Sequence, residues 1–234
     1  MKRLFSAVFV MLMLTAFAGC EDFLDDAGDA LKEAGDVIGD LAGSLEDVEE
    51  SFDDIANKTG GGRINAKDAA DLPTKIKELL SAQSKAGDDV VFLIDKTGSM
   101  EDDIDSVKEN LTAILEVLPT GTRVALATYG DKNSDGDEWY STTELTTNYD
   151  DIRSEIEGIE TTGGGDWEES VYDGLYETMD RLVWQSTGKR MILLIGDAGP
   201  LTDDDKTDHS LDDVVDKSKE ETPNINIYTI VIEE

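Results

Sequence analysis

Five consecutive apolar residues, Val90-Val91-Phe92-Leu93-Ile94, constrain this chain more than any other feature. A strand that is apolar on both faces has to be covered on both, as in a parallel sheet with helices above and below. The sequence that follows fits such a sheet. Residues 101–118 read as an amphipathic helix through Ile104, Val107, Leu111, Ile114 and Leu118. Arg123 to Tyr129 is a second strand, and Trp139 to Leu145 a more exposed third at the sheet edge. Tyr149 to Ile159 is a short helix and Glu168 to Trp184 a longer one. Met191 to Ile195 is again a buried strand, 210–220 a helix, and Ile225 to Ile232 a final strand. Alternation of this kind predicts an α/β fold with a mostly parallel central sheet and helices on both faces.

The N-terminus reads as a targeting segment. Lys2 and Arg3 precede an apolar run from Leu4 to Ala18 broken only by Ser6 and Thr15. That run is shorter than the roughly 20 residues of a bilayer-spanning helix, so residues 1–19 fit a cleaved signal peptide. Ala16-Phe17-Ala18 fits an ordinary cleavage site. Ala18-Gly19-Cys20 resembles a bacterial lipobox, with Phe17 where that pattern favours Leu. Cys20 is the only cysteine, which leaves no internal disulfide, and thioether lipidation accounts for its position. The expectation is an exported cell-envelope lipoprotein held at a membrane by its lipid, with a secreted soluble protein as the alternative.

Residues 20–62 read as an acidic stalk. Apolar positions from Leu24 to Ile55 alternate three and four apart, a heptad seam. Gly28, Gly35, Gly39 and Gly43 each weaken a helix there by about 1 kcal/mol relative to Ala. Gly60-Gly61-Gly62 reads as a hinge, and 63–87 as an accessory segment with a helix over 66–83. Pro73 suits the first turn of that helix. The main domain then covers 88–234. The formal net charge of −34 repels nucleic acid and anionic surfaces, so neither is expected as a partner.

The chemistry concentrates in three loops. Asp95-Lys96-Thr97-Gly98-Ser99 follows the first buried strand, Thr161-Thr162-Gly163-Gly164-Gly165-Asp166 precedes a helix, and Gly196-Asp197-Ala198 follows the other strongly buried strand. Sites in open parallel sheets form beyond the carboxyl ends of the strands. A hard cation such as Mg²⁺ takes about six oxygens, and carboxylates with hydroxyls from these loops supply that chemistry. Asp131-x-Asn133-x-Asp135-Gly136 imitates the opening of an EF-hand, but Thr142 stands where that loop needs a bidentate Glu. It reads as a rim loop. His209, the one histidine, reads as an exposed loop residue, and Trp139, Trp167 and Trp184 as packing residues, with Trp167 beside the second loop and open to a ligand role.

Asp95-x-Thr97-x-Ser99, TTGGGDWEES and LLIGDAGP resemble, in order, the three loops of the metal-ion-dependent adhesion site of von Willebrand factor type A domains. The resemblance covers about 88–234. It implies a three-layer Rossmann-like fold with one antiparallel edge strand and a protein-binding, non-enzymatic role. It also implies Mg²⁺ (or Mn²⁺ or Ca²⁺) held by Asp95, Thr97, Ser99, Asp166 and Asp197. One coordination position is then left for an acidic side chain of a protein partner, with Trp167 and Asp131 at the ligand rim. Asp166 stands where the family often has Thr, so Thr161 or Thr162 is the alternative ligand. Two other functions compete: a structural lipoprotein whose metal only stiffens loops, and a haloacid-dehalogenase-like phosphatase with Asp95 as nucleophile. The family also usually has a further helix after its last strand, and the 66–83 helix is expected to cover that face instead. Deleting residues 63–85 should therefore lower the melting temperature, and an unchanged value would refute the covering role.

Overall fold

A computed structural model describes residues 47–66, 71–163, 168–185, 187–202, 206–220 and 222–232. The signal segment, Cys20 and most of the heptad seam lie outside the described residues. In chain order the elements are helix α1 (47–59), strand β1 (Arg63–Ala66), helix α2 (Leu72–Gln83), strand β2 (Asp89–Asp95), helix α3 (Ile104–Leu115), strands β3 (Arg123–Tyr129) and β4 (Tyr140–Thr142), and helix α4 (Tyr149–Glu157). Strand β5 (Glu168–Glu169), helix α5 (Val171–Arg181), strands β6 (Arg190–Gly196) and β7 (Gly199–Pro200), helix α6 (Leu211–Lys219) and strand β8 (Ile225–Ile232) complete it. Among the described residues no helix is long and apolar enough to cross a membrane.

The six-stranded sheet runs β1-β8-β6-β2-β3-β4, parallel throughout except for the antiparallel β3–β4 pair at one edge. It is a three-layer, Rossmann-like α/β fold. Strand β2 is buried along its whole length, and its residues divide between two cores by the period of two that a strand imposes. Val90, Phe92 and Ile94 pack with Ile76 and Leu80 of α2, Val107 and Leu111 of α3, and Ile156 of α4. Val91 and Leu93 pack on the opposite side with Phe52 and Ile55 of α1, Leu175 of α5 and Val214 of α6. Local signals agree with the tertiary ones: α2 carries Pro in its first turn, and α6 opens with a Ser210–Asp213 capping box.

The N-terminal expectations need correction. The end of the stretch read as a stalk is helix α1, and its seam residues Val48, Phe52 and Ile55 are core, so of the two other uses open to such a seam, a coiled coil or a docked helix, it is the docked helix that is found. Polar contacts hold it there: the Thr229 hydroxyl donates to the Phe52 carbonyl at 3.1 Å, and Arg63 pairs with Glu49 and Asp53 at 3.1 and 3.3 Å. The glycine triplet makes a tight turn, not a hinge. Gly60 has φ +80°, and a Cβ on Gly61 would stand 1.8 Å from the Ile227 carbonyl oxygen. Residues 63–66 are not helical either, because they pair in parallel with Thr229–Ile232 as an edge strand. Two helices were read too long. A 3-10 turn occupies Gly98–Asp102 before α3, and Glu168–Glu169 pair with Gly199–Pro200 ahead of α5.

At the amino ends of the strands, the buried Asp89 carboxylate ties three elements together. It accepts from Arg123 Nε and Nη2 at 2.9 and 2.8 Å, and from Gln185 N and Nε2 at 2.8 and 2.7 Å. Asp88 takes the backbone N–H groups of Lys85 and Lys189. This end of the sheet is closed by satisfied hydrogen bonds, and the opposite end carries the loops described next. If α1 is core, Phe52→Ala should destabilise the protein by about 3–5 kcal/mol in urea unfolding; a detached stalk would give no change.

Candidate metal centre

Strand β2 leads onward to β3 on one side, whereas the adjacent β6 leads to β8 on the other. Their carboxyl ends therefore flank the crevice where the connection direction reverses, the usual binding position in such sheets. Asp95 ends β2, and Asp197 directly follows β6. The two loops meet in a chain of hydroxyls and carboxylates. Asp95 Oδ1 accepts from the Thr97 backbone N–H at 2.9 Å and from Thr97 Oγ1 at 2.7 Å. Thr97 Oγ1 lies 3.1 Å from Ser99 Oγ, which donates to Asp197 Oδ1 at 2.9 Å. Ser99 and Asp197 are 98 positions apart in sequence, so only the parallel sheet brings them together. Met100, fully buried, anchors the turn to the core beneath.

The second loop is docked onto the first by its backbone: Thr162 N–H donates to the Lys96 carbonyl at 2.8 Å. A Cβ on Gly98 would stand 3.2 Å from the Gly163 carbonyl oxygen, a close approach of the two loops. Thr161 and Thr162 thus border the site, while Asp166 and Trp167 lie outside the described residues. Asp131 is directed elsewhere. Its carboxylate is used within its own turn, accepting from Asn133 N–H at 2.8 Å and Ser134 Oγ at 2.9 Å. The EF-hand likeness ends there, because Thr142 is paired with Ala127 in the sheet and supplies no loop ligand.

A family model of the von Willebrand factor type A domain matches residues 89–234. The chain belongs to this family. Among solved structures it is similar to the conserved hypothetical protein BatB from Bacteroides thetaiotaomicron, at 14% identity and a TM-score of 0.48, covering 62% of this chain and 66% of that one. An aerotolerance-related membrane protein from Bacteroides fragilis gives 15% identity and a TM-score of 0.46, covering 62% of this chain and 68% of the other. The pilus adhesin SpaC from Lactobacillus rhamnosus GG gives 20% and 0.39, covering 48% of this chain and 15% of that one. No curated protein sequence matches.

The donors of this type A domain are all oxygens, the chemistry that hard divalent cations prefer. Hydrogen bonds of 2.7 to 3.1 Å link them in a chain from Asp95 through Thr97 and Ser99 to Asp197, which gathers four oxygen-bearing side chains at one point. The residues present therefore fit such an ion. Among the described residues there is no group of three or more His, Cys, Asp or Glu side chains that could hold a metal. Binding by Asp95 and Asp197 would have to be completed by hydroxyls, by water, or by Asp166.

Burial dominates the electrostatics. Asp95 is fully buried, and desolvation, reinforced by the Asp197 carboxylate, pushes its pKa up to about 7 against the opposing hydrogen bonds from Thr97. Its inner oxygen, Oδ2, and the buried Tyr129 hydroxyl both lack a partner at full hydrogen-bond geometry.

A second polar knot beside the site escaped the sequence reading. The fully buried Asp173 carboxylate on α5 lies 2.6 Å from His209 Nδ1, 3.2 Å from Thr207 Oγ1 and 3.8 Å from Lys132 Nζ. His209 stacks on Tyr176 at 3.7 Å. It is a packed tether for the 206–210 loop rather than an exposed loop residue. The available signal was the spacing of Asp173 and Tyr176, one helical turn apart on the same face.

The sign of the Asp95 effect can be measured. A carboxyl held near 7 in the folded protein and near 3.8 when unfolded binds more protons when folded. Metal-free stability should therefore fall as pH rises from about 4 to 7 and level off above, by at most about 4 kcal/mol from this group. Urea unfolding in EDTA across that range should show a flatter profile in Asp95→Asn; parallel profiles would refute the assignment.

Proposed function

We propose that this type A domain is a divalent-metal-dependent protein-binding module, carried by an exported protein anchored to the cell envelope through a lipid on Cys20. The contact that carries the reading is the one between Ser99 and Asp197, which joins oxygens of two distant loops at the switch point of the sheet. Mg²⁺, or Mn²⁺ or Ca²⁺ in its place, would be held by Asp95, Thr97, Ser99 and Asp197. Asp166 or Thr162 would supply the contribution of the second loop.

The role assigned to the ion is recognition. Two carboxylates bring a divalent cation to zero net charge, so an open coordination position could take an acidic side chain of a partner without local repulsion, on a chain whose overall charge is −34. A third carboxylate from Asp166 in direct contact would restore that repulsion, which favours Asp166 acting through water. Family membership supports an interaction role over an enzymatic one. Phosphoryl transfer by Asp95 fits poorly: the side chain is fully buried, and one of its oxygens already accepts two hydrogen bonds.

Calorimetric titration with MgCl₂ or MnCl₂ should detect a single site. Ion at 100 times its Kd should raise stability by about 2.7 kcal/mol. Ser99→Ala should weaken binding by about tenfold or more, equivalent to about 1.4 kcal/mol. Asp95→Ala should abolish it, together with EDTA-sensitive capture of protein partners. Metal uptake unchanged in both variants would overturn the assignment. Metal uptake without any metal-dependent capture would favour a purely structural ion.

A further inference from the structure

Tyr129 is the last residue of β3 and stands directly opposite Asp95 in the β2–β3 register. Its ring belongs to the core on the α5 side of the sheet and is among the largest fully buried side chains of the protein. Two glycines make room for it. A Cβ on Gly174 of α5 would come within 3.0 Å of the Tyr129 Cβ, and a Cβ on Gly196 would come within 2.8 Å of its hydroxyl. The same added atom on Gly196 would lie 3.2 Å from Asp95 Oδ2. The hydroxyl and the inner carboxylate oxygen therefore border one small space left by a missing side chain.

Phenylalanine would fill this space without a polar group, whereas a buried hydroxyl left without a partner costs about 1–3 kcal/mol. Burial holds the hydroxyl in its protonated form, and the carboxylates of Asp95, Glu169 and Asp197 reinforce this, so it can act only as a neutral donor. Asp95 Oδ1 already takes both hydrogen bonds from Thr97, so Oδ2 is the oxygen with acceptor capacity to spare. A carboxyl held at only one oxygen can rotate about its Cβ–Cγ bond; one held at both cannot.

We propose that Tyr129 is a positioning residue of the metal centre, its hydroxyl donating to Asp95 Oδ2 directly or through one water and so keeping Oδ1 turned toward Thr97 and Ser99. The inference rests on the metal-binding reading of the same site. Partners that orient a ligand from behind typically change metal affinity by about 10–100-fold when removed.

The test compares Tyr129→Phe with the parent protein and with Tyr172→Phe, a neighbouring core tyrosine on α5 with its hydroxyl elsewhere. MgCl₂ and MnCl₂ affinities are read by calorimetry, and melting temperature is read in EDTA. Tyr129→Phe should raise Kd about tenfold or more, and its EDTA melting temperature should fall by no more than one lost hydrogen bond accounts for, about 1–3 kcal/mol. Tyr172→Phe should leave Kd within twofold. A Tyr129→Phe Kd within twofold of the parent overturns the positioning role and leaves the metal reading standing. A parent protein that takes up neither ion overturns both. Should the variant fail to fold, NMR of the parent in EDTA decides: a slowly exchanging Tyr129 hydroxyl proton supports the contact, and one in fast exchange with water refutes it.

Discussion

Placing the Asp95 carboxyl at the end of a strand that is buried on both faces removes it from water, and the loops at this rim are arranged around that burial. Desolvation and the nearby Asp197 both oppose ionisation, so the group needs compensating donors or a cation. Thr97 supplies two hydrogen bonds to one oxygen. Ser99 passes the network on to Asp197, and the Thr162 backbone locks the second loop against the first. Each contact is short-range, but each depends on where β2 and β6 end. Those ends are set by the sheet register, in which Ile94 stands opposite Ile195.

The two ends of the sheet show how similar groups serve opposite purposes. At the amino end, Asp89 is as buried as Asp95 but meets the guanidinium of Arg123 and the amide groups of Gln185. Charge and hydrogen-bonding capacity are satisfied internally, which makes this a structural knot. At the carboxyl end no basic side chain reaches Asp95 among the contacts described. A carboxylate balanced from within the protein stabilises the fold, and one that is not so balanced keeps its desolvation cost uncompensated. The Asp173 knot belongs to the first kind, with Lys132 and His209 as its partners.

Much of this was legible in the sequence. The continuous apolar run of β2, the boundaries of β3 and β8, and an exposed edge strand follow from period, composition and turn residues, while the antiparallel direction of that strand was implied by the family resemblance. So does the placement of Asp95, Thr97, Ser99 and Asp197 at strand ends. What misled were features whose meaning depends on a neighbour. The seam through Val48, Phe52 and Ile55 has the spacing of a coiled coil, and equally that of a helix laid on a sheet. Gly60-Gly61-Gly62 has the composition of a linker, but Gly61 is required because the Ile227 carbonyl occupies the space of its side chain.

The sequence by itself determined the α/β class, the order of the strands along the chain and which loops carry carboxylates and hydroxyls, because these are set by residue identities and periodicities a few residues long. Only the tertiary structure decided that α1 belongs to the domain, that His209 tethers a loop through Asp173, and that the Tyr129 hydroxyl and the inner oxygen of Asp95 border the same space. Each of those contacts joins residues far apart in the chain, and no local pattern records which distant group will occupy the space that a glycine leaves open.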